Sequence, residues 1–189
     1  GRLAVRALLN GNAKRSKPLH VHFAGHSAGS ILLAHMLDAM DSMNPLKKPV
    51  KSCSLMAPAC TVDLFNKSIH PKVGKHGAAS GIVNLSQYNL IDQRELDDTV
   101  GPYRKSLLYF VSNAFEDRKK MPLLGMEKFA PTSSKKHEIS YAGRDSNTES
   151  DSHGGFDNDR KTMNDILENI LGDRPTPAKR FQPEDMTGY

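Results

Sequence analysis

Residues 19–40 read LHVHFAGHSAGSILLAHMLDAM and combine three local patterns in one short stretch. Apolar residues alternate with histidines over residues 19–24, which predicts a half-buried strand. Residues 31–40 have apolar side chains at helical spacing, and the glycines and small residues at 25–29 favour a tight turn. The stretch therefore predicts a strand, a sharp turn and a helix in direct succession.

The rest of the chain repeats this alternation of strands and helices. Further strands are predicted at residues 50–58, 82–90 and 137–142, and helices at residues 2–9, 61–69, 103–116 and 160–171. Because parallel neighbours need a crossover connection, the alternation predicts an α/β fold with a mostly parallel sheet and helices on both faces. In such sheets, functional groups collect at the carboxyl ends of the strands.

The composition limits the classes of protein that the chain can represent. Its 189 residues correspond to one domain or a large part of one. Two cysteines cannot staple a domain of this size, which excludes a disulfide framework and predicts a reducing, cytoplasmic compartment. No apolar run approaches the ~18 to 20 residues that span a bilayer, and arginines interrupt residues 1–10, so we expect no membrane span and no signal peptide.

The pentapeptide GHSAG at residues 25–29 fits the pattern G-x-S-x-G, which raises a serine hydroxyl above the edge of a sheet. Small flanking residues let the backbone close without clashes. The predicted strand before the motif and the helix after it are the context that this turn requires. Ser27 is therefore the candidate nucleophile, and a merely structural glycine-rich turn is the alternative.

A serine nucleophile needs a general base, and the chain has eight histidines. His153 lies in a glycine-containing loop between the last predicted strand and the last helix, so we expect it at the carboxyl edge of the sheet. The histidines in less suitable positions are His20 and His22 in the first strand, His26 beside the nucleophile, His35 in the next helix and His137 at a strand start. His153 is the predicted base.

The third member of such a site is a carboxylate that orients the imidazole and stabilises its charged form. It should follow the strand at residues 82–90. Asp92 is the first carboxylate beyond that strand and is the predicted acid. Glu95, Asp97 and Asp98 crowd the same segment and remain alternatives, while a solvated loop acid or a helix cap is the structural interpretation of each.

These segments resemble the C-terminal part of the α/β-hydrolase fold superfamily, over roughly residues 3–172. GHSAG is similar to its nucleophile elbow, ELDDTVGPYRKSLLYFVSNAF to the segment after its acid-bearing strand, and DSHGGFDNDRKTMNDIL to its histidine loop and final helix. The resemblance implies an esterase-like or lipase-like serine hydrolase. It would cleave a small-molecule ester or related acyl bond through an acyl-enzyme, without a metal or an organic cofactor.

The resemblance also implies individual roles. Ser27 would attack the acyl carbon, and His153 would first take and then return the proton. The main-chain N–H of Ala28 would be one oxyanion donor. The second donor in this family comes from a loop after an early strand, which this sequence does not contain.

The order of the predicted elements bears on domain organisation. The elbow strand is nearly the first strand, so residues 1–172 are expected to be the C-terminal part of a catalytic domain whose N-terminal strands are missing from this chain. That N-terminal remainder is then a required partner. Residues 173–189 contain prolines and basic residues without a period, which predicts a disordered tail.

Three other functions compete with hydrolysis. The net charge of +5 is compatible with an acidic partner, but the basic residues are dispersed, so we expect no nucleic-acid binding. A metal site would have to use His20 and His22 on one strand and His26 in a tight turn, and such a set rarely closes a tetrahedral site. The two cysteines, Cys53 and Cys60, lack C-x-x-C spacing. A hydrolase-like interaction protein without activity is the third, and the intact order of serine, acid and histidine argues against it.

Overall fold

A four-stranded parallel sheet organises the computed structural model, which describes residues 2–17, 19–43, 49–75, 81–116, 118–172 and 179–186. The strands are β1 (His22–His26), β2 (Val50–Met56), β3 (Ile82–Leu90) and β4 (His137–Ala142). The α-helices are α1 (Arg2–Ala13), α2 (Gly29–Met43), α3 (Val62–Leu64), α4 (Asp92–Asp97), α5 (Leu107–Ala114) and α6 (Arg160–Leu171). The predicted α/β class is confirmed.

Each strand pairs in parallel with the next strand along the chain, in the order β1-β2-β3-β4. His26 lies opposite Met56, Met56 lies opposite Tyr88, and Leu90 lies opposite Ala142. The carboxyl ends of all four strands therefore meet at one edge of the sheet. The segments that follow the strands share that edge, which is where the candidate site residues were expected.

Two hydrophobic clusters cover the sheet. Leu55 of β2 belongs to a cluster that includes residues of α1 and α2. Its neighbour Met56 belongs to a second cluster, which includes Leu108 of α5 and Ile166 of α6. Because successive residues of a strand point to opposite faces, helices lie on both faces of the sheet.

Several element boundaries agree with the sequence prediction. Strands β3 and β4 and helix α6 begin and end at the predicted residues. Gly172 ends α6 in a left-handed conformation with φ of 76°, and its N–H donates to the carbonyl of Glu168.

Helix α1 is longer than predicted, because the buried side chain of Asn12 accepts a hydrogen bond of 2.8 Å from the N–H of Leu19 and anchors the last turn.

Other boundaries differ from the prediction. Strand β1 begins at His22 and continues through His26, so it leads directly into the turn at Ser27. The predicted helix at 61–69 divides into α3 and a π-helical turn over Phe65–Ile69. The acidic segment after β3 forms a helix, α4, where the sequence indicated a loop.

The C-terminal residues 179–186 contact helix α6. The N–H of Phe181 donates to Oδ1 of Asn164 at 2.9 Å, and Nδ2 of Asn164 donates to the Phe181 carbonyl at 3.1 Å. This part of the predicted disordered tail thus has fixed contacts, while residues 173–178 and 187–189 lie outside the described residues. Within the described ranges, no helix has the length and apolar character needed to cross a membrane.

Candidate active site

The turn between β1 and α2 holds Ser27 in an uncommon backbone conformation, with φ of 50°. A non-glycine residue with positive φ costs free energy and persists only where the surrounding structure fixes it. Here the N–H of Ser27 donates to the carbonyl of Met56 at 2.9 Å, and the Ser27 carbonyl accepts from the N–H of Ala59 at 3.1 Å. The end of β2 therefore fixes the turn that presents the Ser27 hydroxyl.

The two glycines of the motif differ in their steric role. A Cβ atom at Gly25 would lie 2.8 Å from the Cδ1 atom of Leu33 and 3.1 Å from the carbonyl carbon of Gly29. A Cβ atom at Gly29 would meet no heavy atom within 4 Å. The close packing of β1 on α2 thus requires glycine at position 25, whereas position 29 has room for a side chain.

Ser30 supports the same turn and was not identified from the sequence. Its Oγ donates to the carbonyl of Ser27 at 2.7 Å and accepts from the N–H of Cys60 at 3.0 Å. The buried hydroxyl therefore links the first turn of α2 to the segment after β2. The sequence signal was a small polar residue at the start of an apolar helix, where a leucine or alanine would serve packing better.

The structure brings the predicted nucleophile and the predicted base together. His153 opens a short 3-10 helix, His153–Gly155, between β4 and α6. Its Nε2 atom lies 2.9 Å from the Oγ atom of Ser27, which is hydrogen-bond distance for transfer of the hydroxyl proton. His153 as a whole is 4% exposed, so little water competes for this contact.

His26 also contacts the base. Its Nε2 atom lies 2.8 Å from the main-chain oxygen of His153, and because a carbonyl only accepts, Nε2 of His26 carries the proton. The two imidazole rings lie 5.4 Å apart, and the buried ring of Phe156 meets His26 edge-on at 6.4 Å. The sequence analysis set His26 aside, yet its side chain bridges the elbow and the histidine loop.

Among the four candidate carboxylates, Asp98 lies beside the base. Its Oδ2 atom accepts from the main-chain N–H of His153 at 2.9 Å, and its Oδ1 atom accepts from the N–H of Thr99 at 2.7 Å. The negative charge of Asp98 also acts on the His153 imidazole and favours its protonated form. Asp98, one of the alternatives, is thus the candidate carboxylate that is hydrogen-bonded to the main chain of His153.

The other three carboxylates point elsewhere. Asp92 accepts a hydrogen bond of 2.6 Å from the hydroxyl of Tyr109, and no hydrogen bond joins it to His153. Asp97 is exposed and accepts from the side chain of Gln93 at 3.0 Å. Glu95 is fully buried. The prediction of Asp92 as the acid does not agree with this geometry, because the chain coils into α4 and turns Asp92 toward α5.

The environment of His153 favours its neutral form. Burial and, to a smaller extent, the neighbouring His26 lower the pKa of its imidazole to about 4, and the charge of Asp98 opposes this shift. A neutral imidazole that accepts the Ser27 proton at Nε2 carries its own proton on Nδ1. Nδ1 is buried and has no hydrogen-bond partner among the described residues. Asp98 therefore holds the main chain of the base instead of its ring.

The main-chain N–H of Ala28 is available at the N-terminal end of α2. No hydrogen bond in the described part of the chain uses it. An N–H at this position, next to the nucleophile and at the positive end of a helix, suits an oxyanion. The predicted donor thus has no protein acceptor in the described part of the chain.

The residues considered for a metal have other partners or surroundings. Nδ1 of His22 lies 2.8 Å from the hydroxyl of Ser52. Cys53 and Cys60 are buried free thiols, and burial raises the pKa of Cys60 to about 11. The described ranges contain no group of three His, Cys, Asp or Glu side chains that could hold a metal ion.

Comparisons with protein-family models, with curated proteins and with solved structures found no match to this chain.

Proposed function

We propose that this protein is a serine hydrolase that cleaves a carboxylic ester or related acyl bond. The observation that supports this function best is the 2.9 Å contact between Oγ of Ser27 and Nε2 of the buried His153. A nucleophile and a base within hydrogen-bond reach, with a charged group beside the base, make up the arrangement needed for covalent acyl transfer.

The reaction would proceed in two halves. Oγ of Ser27 bonds to the acyl carbon while its proton passes to Nε2 of His153, and the carbonyl oxygen gains a negative charge near the N–H of Ala28. The bond to the leaving group then breaks, and the leaving group takes the proton from Nε2. A water molecule attacks the acyl-enzyme in the same way, which releases the acid and restores the Ser27 hydroxyl.

Two features refine the acid and the oxyanion site. Asp98 is the proposed carboxylate, since it is adjacent to His153 and its charge would stabilise the imidazolium. Ala28 is the proposed oxyanion donor, and removal of one such donor typically costs on the order of 10² to 10³ in turnover. The small-molecule acyl substrate and the family membership belong to the same hypothesis.

A fluorophosphonate probe tests this function directly. The Ser27 oxygen would bond to phosphorus as fluoride leaves, and peptide mapping would identify the modified residue. We expect labelling of the wild type, none in Ser27→Ala, and unchanged labelling in Ser42→Ala, which alters an exposed serine of α2. An unlabelled Ser27 in folded protein would contradict hydrolysis and favour a non-catalytic interaction protein.

A further inference from the structure

Glu95 is a buried carboxyl group one turn before the carboxylate that contacts the base. It lies in α4 and has no exposed surface. Its Oε2 atom accepts a hydrogen bond from the hydroxyl of Ser106, while its Oε1 atom has no partner among the described residues. A buried carboxylate is normally paired or saturated with donors, so one bare oxygen is a poor setting for a negative charge.

The groups around Glu95 do not compensate such a charge. Asp92 and Asp98 flank it on the same segment and repel a third negative charge. Lys128 is the nearby cation, but its ammonium donates to the hydroxyl of Tyr109 at 3.0 Å and lies 4.3 Å from the centre of that ring. The Tyr109 hydroxyl in turn donates to Asp92.

These contacts favour the protonated form of Glu95 in the folded protein. Burial, together with the charges of Asp98 and Asp92, raises the pKa of Glu95 to about 7, although the hydrogen bond from Ser106 and the charge of Lys128 oppose this rise. The carboxyl group therefore changes its charge near neutral pH, whereas an ordinary glutamic acid does so near pH 4.

Glu95 and Asp98 lie in the same turn at the end of α4, and Asp98 is hydrogen-bonded to the base. Asp98 caps the last turn of α4, where its N–H donates to the Arg94 carbonyl at 3.0 Å, and its carboxylate accepts from the His153 N–H at 2.9 Å. The Glu95 carbonyl also accepts from the Ser106 N–H at 2.8 Å, which ties α4 to the start of α5. An ionised Glu95 would turn toward water and displace this last turn.

We propose that Glu95 is a positioning residue, which must keep its proton for Asp98 to hold His153 beside Ser27. The inference rests on the proposed serine hydrolase function and adds a control of it by pH. Ionisation of Glu95 disengages the carboxylate from the base, so that reactivity of Ser27 falls on the alkaline side of neutrality.

The test compares three forms of the full chain: the wild type, Glu95→Gln and Asp97→Asn. Glutamine has the shape of the protonated acid and no charge at any pH. Asp97 is an exposed carboxylate in the same helix, so its asparagine variant controls for the loss of a negative charge from α4. The rate of Ser27 labelling by a fluorophosphonate is measured from about pH 5 to about pH 9.

We expect the labelling rate of the wild type and of Asp97→Asn to fall roughly tenfold or more as the pH rises past about 7, and that of Glu95→Gln to show no such fall. Labelling that falls equally in the wild type and in Glu95→Gln would overturn the role of Glu95. Ser27 that reacts at no pH in any form would instead overturn the hydrolase function.

Urea unfolding provides a second readout that does not depend on Ser27. Between the ordinary pKa of 4.5 and the folded value of about 7, the folded protein binds more protons than the unfolded chain, so stability falls as the pH rises. We expect the urea midpoint of the wild type to fall relative to that of Glu95→Gln across this window. Parallel midpoints would show that Glu95 is already ionised in the fold and would overturn the inference.

Discussion

The Nε2–H of His26 donates a hydrogen bond of 2.8 Å to the main-chain oxygen of His153, while the main-chain N–H of His153 donates to Asp98 at 2.9 Å. The peptide groups on both sides of the base are therefore held by side chains. Ser27 follows His26 directly in the chain, so one of these two hydrogen bonds comes from the residue next to the nucleophile. The position of His153 relative to Ser27 therefore depends on His26.

Substitution of His26 should therefore slow the reaction without weakening substrate binding. For His26→Leu we expect kcat to fall roughly 5- to 10-fold, the equivalent of one hydrogen bond of about 1 kcal/mol, with KM little changed. His26→Gln retains an N–H donor and should recover most of the loss. Steady-state kinetics with an activated ester checks both variants, and equal rates for the wild type and His26→Leu would exclude a positioning role.

The identity of the acid predicts a contrast between two similar variants. Asp98→Asn removes the charge that would stabilise the His153 imidazolium and should lower kcat at least about tenfold, but less than the ~10⁴-fold that follows loss of a carboxylate bonded to the imidazole itself. Asp92→Asn affects a group that bonds to Tyr109 and should leave kcat close to the wild-type value. The reverse ranking in ester hydrolysis would restore Asp92 as the acid.

Strong local patterns made much of the fold predictable from the sequence. Strands β3 and β4 follow clear apolar runs, and helix α6 combines an apolar face with a glycine at its end, so their bounds agree with the prediction. The predicted nucleophile and base lie together, because both follow strands whose carboxyl ends must meet in a parallel sheet. Order along the chain was sufficient for these two residues.

The identity of the acid and the contact of His26 with His153 could not be derived from the order of residues along the chain alone. Asp92 and Asp98 follow the same strand, and their orientations are distinguished only by α4, a helix too short to show a clear periodicity in the sequence. About one and two-thirds helical turns separate them, so they cannot share a direction. His26 reaches a residue 127 positions away, and only the tertiary fold determines such a contact.

The two glycines of the elbow should respond differently to alanine. Gly25→Ala inserts a methyl group 2.8 Å from the Leu33 side chain and 3.1 Å from the Gly29 carbonyl carbon, so we expect a loss of about 1 to 3 kcal/mol in the free energy of unfolding. Gly29→Ala fills open space in the first turn of α2 and should leave stability unchanged or raise it by up to about 1 kcal/mol. Urea unfolding of both variants measures this, and equal losses would contradict the packing described for the turn.

The buried His137 should make the protein sensitive to acid independently of the active site. Its Nε2 atom donates to Oε1 of Gln87 at 2.9 Å, and burial, with a contribution from His70, lowers the pKa of His137 to about 4. The unfolded chain therefore binds more protons than the folded protein between pH 6.5 and about 4, so stability is complete above this window and falls as the pH falls through it.

Replacement of His137 by glutamine, which retains a donor for Gln87, should remove this dependence. We expect the wild type to lose up to about 3 kcal/mol more than His137→Gln when the pH is lowered from about 7 to about 4, at 1.36 kcal/mol per pKa unit. The comparison uses the change with pH, so a uniform loss of stability in the variant does not affect it. His35→Gln, at an exposed histidine of α2, is the control and should follow the wild type. If His137→Gln and the wild type lose the same free energy over this range, His137 is already solvated or charged in the folded state.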